Sequence, residues 1–173
     1  MSFMPTSANL SKVDSTNVVS VVREHLQKNE SASVLAWLLL GGKNFMTASP
    51  SSPFDFITAS SKGLPKLSVI NLATVLGIPI KDMAGLLNVS YKTLGRKKPT
   101  DVLDNITSSL SVELAYTISK GLSVFEDTGK FNRWLHKENR ALHGSRPFDL
   151  LNTPTGVKLV NQVLGRIEEG VYS

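Results

Sequence analysis

The chain has 173 residues, 41% of them hydrophobic, and no cysteine, which excludes disulfides, thiolate metal sites and a cysteine nucleophile and suits a reducing cytosol. Its longest apolar run, residues 32–40, is too short to span a bilayer, which takes about 20 residues, and no charged, apolar leader precedes it, so a cytoplasmic protein is expected. The net charge of +5 is uneven, with 11 Lys/Arg against 5 Asp/Glu in residues 1–99 and 8 against 9 in residues 100–173; a basic half suits a polyanion such as nucleic acid, with solvated surface charge as the plainer account.

Apolar spacing is helical almost throughout, and no sustained alternation argues for a sheet, so the fold class is all-α. Residues 1–14 are rich in Ser, Asn and Pro and read as disordered. Val18, Val21, Val22 and Leu26 mark a first amphipathic helix. Residues 32–40 form a second, buried one that Gly41 and Gly42 stop. A loop at 47–53 leads to a short helix over 54–61. Pro65 is placed as the first residue of the next helix, where its missing N–H does no harm, and that helix ends at Gly77. Thr100 and Ser111 are expected to cap two further helices, ending near Leu110 and Glu126. Another starts around Lys130. Thr153 and Pro154 open the last helix, whose Val157, Val160, Leu164, Ile167 and Val171 step by three and four residues along one face. Gly170 is its stop.

The stretch "IPIKDMAGLLNVSYKTLGRKK", residues 78–98, has the pattern of a helix-turn-helix. Met83, Ala84 and Leu87 share a face of the first helix, and Asn88 can take the left-handed turn conformation. Val89 plugs the corner, Ser90 caps the second helix, and Leu94 packs beneath the small Ala84. The candidate DNA contacts are Ser90, Tyr91, Lys92, Thr93, Arg96, Lys97 and Lys98, because the N-terminal end of such a helix meets base edges and its cations meet phosphates. A helix pair that merely packs fits the pattern equally well. Gly95 inside the presumed recognition helix costs about 1 kcal/mol relative to Ala.

Beyond residue 128 the sequence carries "WL" (Trp134, Leu135), Asn139, Leu142 and Gly144 in an N-x-x-L-x-G spacing, "RPFDLL" from Arg146 to Leu151, "TPTG" from Thr153 to Gly156, and "LGRIEEGVY". Upstream lie "LLLGG" at 38–42 and "GLP" at 63–65. In this order the elements resemble the Xre/MbcA/ParS antitoxins, with the C-terminal block resembling their toxin-binding domain. The resemblance implies an antitoxin of a type II toxin–antitoxin pair whose partner is a RES-domain toxin that degrades NAD. It further implies that the antitoxin covers the toxin's active site and represses its own operon as a homodimer on operator DNA. The domain organisation follows: an N-terminal helical region at 15–67, the helix-turn-helix at 68–98, linking and dimerisation helices at 99–127, and a toxin-binding domain at 128–173.

Trp134, Leu135, Leu142, Phe148, Leu150 and Leu151 are enough to anchor a small helical core, and Trp134 is assigned to it rather than to a contact. The candidate toxin contacts are Arg166, Glu168, Glu169, Gly170, Val171, Tyr172 and Ser173. Tyr172 would supply a flat ring to a NAD-binding pocket, while Glu168, Glu169 and the Ser173 carboxylate would meet basic groups. A free-standing regulator whose C-terminal domain only dimerises is the alternative. No catalytic residue, cofactor or metal is assigned: His136 and His143 lack supporting ligands, and "LLLGGKN" lacks the spacing of a phosphate loop. The run Lys130, Arg133, Lys137, Arg140 and Arg146 reads as a solvated face.

Overall fold

Helices account for every regular element among residues 12–171, the part of the chain that the computed structural model describes. They run α1 (Val18–Gln27), α2 (Ala32–Leu39), α3 (Pro53–Ser61), α4 (Lys66–Leu76), α5 (Ile80–Leu86), α6 (Tyr91–Arg96), α7 (Asn105–Phe125), α8 (Thr128–Leu135), α9 (Pro147–Leu150) and α10 (Pro154–Glu168), with a short 3-10 turn at Arg140–Leu142. None of them is long and apolar enough to cross a membrane by itself.

The 21-residue α7 is the axis of the fold, with α2, α3, α4, α8 and α10 packed around it. Its buried face combines Leu114, Ala115, Ile118 and Leu122 with small polar residues, Thr107, Ser108, Ser111, Thr117 and Ser119. The hydroxyls of Ser111, Thr117 and Ser119 donate to the carbonyls four residues earlier, at 2.8, 3.1 and 2.7 Å. Each buried oxygen therefore finds a partner within the helix, and the short side chains let neighbouring helices come close. Ser111, expected to start a new helix, is instead a mid-helix residue. Packing around it outweighs the preference of serine for caps. The single helix starts at Asp104, whose carboxylate accepts from the Thr107 N–H and hydroxyl at 2.9 and 2.7 Å.

Other differences from the sequence reading are local. Val13 is fully buried, donates its N–H to the Gly41 carbonyl, and offers its own carbonyl to the side chains of Asn44 and Asn71. The expected disorder therefore does not reach residues 12–14, and the rest of that stretch, 1–11, lies outside the described residues. Pro65 is the N-cap of α4, with extended backbone, rather than its first helical residue. The first N–H groups of α4 are met from outside, Lys66 by the Asp101 carbonyl and Leu67 by that of Pro99. That exchange stitches the segment after α6 back onto the start of α4. At the other end, α8 begins at Thr128 under an Asp127 cap, two residues before the expected start.

One apolar cluster extends from Val13 to Leu164 and includes Met83, Ala84, Leu87 and Leu94 as well as Leu135, Leu142, Leu151 and Val160. The helix-turn-helix and the C-terminal block therefore share a core. Gly121 shows how tight the junction is: a Cβ there would overlap the Phe131 ring. Gly156 likewise allows the first turn of α10 to approach the Leu150 carbonyl.

Two alanine replacements of helical glycines should have opposite signs. A Cβ on Gly95 meets nothing, so Gly95→Ala is expected to raise stability by about 0.5–1 kcal/mol in urea unfolding. Gly121→Ala gains the same propensity but must displace Phe131, and a net loss of about 1–3 kcal/mol is expected. The α7 cap adds a pH dependence. The Thr107 N–H, then its hydroxyl, hold the Asp104 carboxyl below its ordinary value. A lowered folded-state pKa stabilises the fold above the ordinary carboxylate value of about 3.9 and loses that contribution as pH falls through the folded value. Asp104→Asn should therefore flatten the acid limb of a stability–pH curve while changing the neutral plateau little, since Asn is also a good cap.

Candidate functional site

Two surfaces carry exposed functional groups, one at α5–α6 and one at the far end of α10. In the first, Asn88 has φ 54° and closes the turn between α5 and α6. The Val89 N–H returns to the Ala84 carbonyl at 3.0 Å, and the Ser90 hydroxyl accepts from the Thr93 N–H at 3.4 Å. Ala84 and Leu94 are both buried, while Val89 is half-buried at the corner. This is the helix-turn-helix geometry that the residue pattern requires.

Its outer face displays Tyr91, Lys92, Thr93 and Arg96, with Lys98 just beyond the helix, all exposed. No carboxylate pairs with Lys92, Arg96 or Lys98 among the described residues. Lys97 differs from them. Its ammonium donates to the Val102 carbonyl at 3.0 Å, and its own carbonyl accepts from the Lys66 ammonium at 2.6 Å. Lys97 and Lys66 thus hold the segment that leaves α6 against α4. Of the seven candidate DNA contacts, Ser90 serves as the cap and Lys97 as a tether, which leaves five with fully outward side chains.

The C-terminal surface is built around α10. The Thr153 hydroxyl accepts from the Gly156 N–H at 3.0 Å with Pro154 in the first turn, as the sequence predicts. Val157, Val160 and Leu164 are buried, and Asn161 reaches the Thr117 hydroxyl of α7 at 3.0 Å. The helix closes at Gly170, φ 72°, where the Val171 N–H returns to the Arg166 carbonyl at 2.8 Å. That left-handed closure turns the chain off the helix axis. Val171 does not continue the packed face, as its spacing predicted; it is 53% exposed. Tyr172 and Ser173 lie outside the described residues.

The remaining tail candidates separate in space. Glu168 lines a cleft with Glu30 and Glu126, on the side of α1 and α2. Glu169 and Arg166 instead border a groove with Lys120 and Lys158. The two neighbouring carboxylates therefore face different surroundings, because adjacent helical residues point about 100° apart. Arg146, assigned to a solvated face, forms a bidentate pair with Asp149 at 2.7 and 2.9 Å. That pair raises the Arg146 pKa.

Two features escaped the sequence reading. The first is a link between the surfaces: the Asn88 amide, in the helix-turn-helix turn, donates to the Asn152 carbonyl ahead of α10 at 2.9 Å. The Asn132 amide of α8 similarly reaches the Val75 carbonyl of α4 at 3.0 Å. The second is Trp134, which is half-buried rather than core. Its ring stacks on Phe131 at 6.2 Å and meets Phe125 at 5.5 Å, forming one wall of a pocket. Both features depend on contacts between distant parts of the chain, which no local pattern displays.

Comparison with known proteins matches both halves. Residues 55–116 match the antitoxin Xre-like helix-turn-helix domain, and residues 120–170 match the antitoxin Xre/MbcA/ParS C-terminal toxin-binding domain. The chain is also 26% identical over 132 residues to the Prs ADP-ribosylating antitoxin of Sphingobium sp. (strain YBL2), an alignment covering 70% of this chain and 83% of that protein. With the two domains in this order on an all-helical frame, the chain belongs to the Xre-type antitoxins, a helix-turn-helix domain followed by a C-terminal toxin-binding domain.

Proposed function

We propose that this antitoxin neutralises a RES-domain toxin that consumes NAD, using the surface at the end of α10, and that it represses its own operon through α5 and α6. The carrying observation is the placement of two outward surfaces on opposite ends of one helix. The N-terminal end of α10 touches the helix-turn-helix turn through Asn152 and Asn88. The C-terminal end, 15 residues on, carries the tail about 22 Å away at 1.5 Å per residue. A toxin held at the tail end would therefore leave the recognition helix accessible.

On this reading the chain works by binding rather than by catalysis, in the cytoplasm, as a homodimer. Half-sites one DNA turn apart require paired recognition helices. The middle of α7 is occupied by the core, but Ile106 at its start is 75% exposed, so the 99–127 stretch keeps an apolar group for the pairing surface. Phe54 and Ile57 on α3, 75% and 64% exposed, are also suited to it. The relative's name supports a second form of toxin chemistry, because ADP-ribosylation also consumes NAD and that name specifies Prs as its object. NAD measurements together with mass spectrometry of Prs in toxin-expressing cells separate hydrolysis from transfer.

For the DNA half, binding of the chain to its own promoter should weaken steeply with salt. Lys98→Gln should lower affinity evenly across sequences and reduce the salt slope by about one. Lys97→Gln should in addition lower thermal stability, because its bond to Val102 is lost. Absence of any promoter binding at low salt removes the repressor role. For the toxin half, deletion of residues 170–173 should leave the complex intact on purification yet fail to restore NAD levels and growth. A truncated chain that restores both rules out plugging of the active site by the tail.

A further inference from the structure

Beneath the point where the tail leaves α10 lies a pocket of about 290 Å³, lined by Phe125, Trp134, Ala141, Val163, Ile167 and Val171, with Asn139 and Arg166 at its edge. Its volume falls just below the usual range for small-molecule sites, about 300–1,000 Å³, and suits one large side chain better than a nucleotide. The walls are aromatic and aliphatic. The polar groups at the rim are donors of hydrogen bonds. The Arg166 guanidinium pairs with no carboxylate among the described residues. The Asn139 carbonyl oxygen is already engaged by the Ala141 N–H at 2.9 Å, which leaves its NH₂ for a ligand.

We propose that this pocket is the anchor point for the toxin, receiving an apolar or aromatic side chain that stands beside a carboxylate on the toxin surface. Complementarity favours that occupant: an apolar cavity bordered by the Asn139 amide and the Arg166 guanidinium discriminates in favour of an acidic neighbour and against a basic one. All lining residues except Val171 fall inside the stretch matched as the toxin-binding domain. The anchor also fixes register. Val171 forms a lip of the pocket, so a toxin side chain seated there lies directly beside the closure of α10. This role presupposes the toxin-binding reading above, and it adds the residues that determine where the toxin sits.

The test uses the full chain and a purified RES-domain toxin, the partner of the reading above. Arg166→Glu changes an exposed residue and leaves the core intact, while Ala141→Trp fills the cavity from a half-buried position. Each should weaken toxin binding by about tenfold or more, in the range of truncated interface hot spots. Binding to promoter DNA serves as a control for folding. In the chain labelled with 5-fluorotryptophan, the Trp134 signal should move when toxin is added and the Trp37 signal should not. Trp37 is 7% exposed and tied to the Met46 carbonyl. If both variants bind toxin as tightly as the unaltered chain, the pocket is not the anchor. If the Trp134 signal instead follows antitoxin concentration, and Ala141→Trp alters the oligomer without altering toxin affinity, the occupant is a second copy and the proposal is overturned. If the unaltered chain binds no toxin, the neutralisation reading falls together with the anchor.

Discussion

The close packing of small residues along α7 is the constraint on which the rest of the molecule depends. A helix surrounded by five others normally presents large apolar side chains on several faces. Here Ser108, Ser111, Ser119, Ala115 and Gly121 occupy much of that surface, and their size sets how near α2, α3 and α8 can come. Hydroxyls in such positions would be costly if unpaired, by about 1–3 kcal/mol each. The hydroxyls of Ser111, Ser119 and neighbouring Thr117 return to their own helix, and Ser108 accepts from the Leu64 N–H at 2.9 Å. Close approach and polar satisfaction are therefore achieved by the same residues. Gly121 extends the principle into the site: the space it leaves fixes Phe131, against which Trp134 stacks.

From α7 the architecture is carried outward by α10. Its inner face packs on α7, its start meets the helix-turn-helix through Asn152, and its end bears the left-handed closure at Gly170. Amide side chains, rather than ion pairs, make the cross-links: Asn88 to Asn152, Asn132 to Val75 and Asn161 to Thr117. An amide fixes direction without the desolvation cost of a charge at the part-buried Asn132 and Asn161 bonds, while the Asn88 bond lies on the exposed surface. The ion pairs formed among the described residues, Lys28–Glu24 and Arg146–Asp149, lie on the surface.

Much of this was legible in the sequence, and the remainder failed for identifiable reasons. The helix-turn-helix could be read because its determinants are contiguous: Ala84, Asn88, Ser90 and Leu94 lie within eleven residues, and each has a local geometric task. Thr153 and Pro154 were equally readable. The break expected at Ser111 did not occur, because a serine's preference for caps yields when the surrounding helices bury it. Val171 was assigned to a packed face by spacing alone, but Gly170 ends the helix before that spacing can act. Composition assigns Trp134 to the core, whereas its half-buried ring neighbours Phe131 and Phe125 and lines a pocket. That distinction lies in the meeting of α7, α8 and α10, which a single segment does not encode.

Size explains why one core serves both surfaces. Residues 128–173 form a segment near the length, about 40 residues, below which chains usually need a metal, disulfides or a partner to fold. The chain has no cysteine, so disulfides are unavailable to it. The segment instead borrows α7: Leu135, Leu142, Val157, Val160 and Leu164 join the cluster that also holds Leu114, Ile118 and Leu122. The toxin-binding domain and the helix-turn-helix domain are thus distinct as surfaces but not as folding units. A conformational change at one surface must pass through packed helices rather than a flexible linker before it reaches the other. Close-packed interiors transmit strain in this way, and the Asn88–Asn152 bond gives that transmission a short route from the end of α9 to the recognition turn.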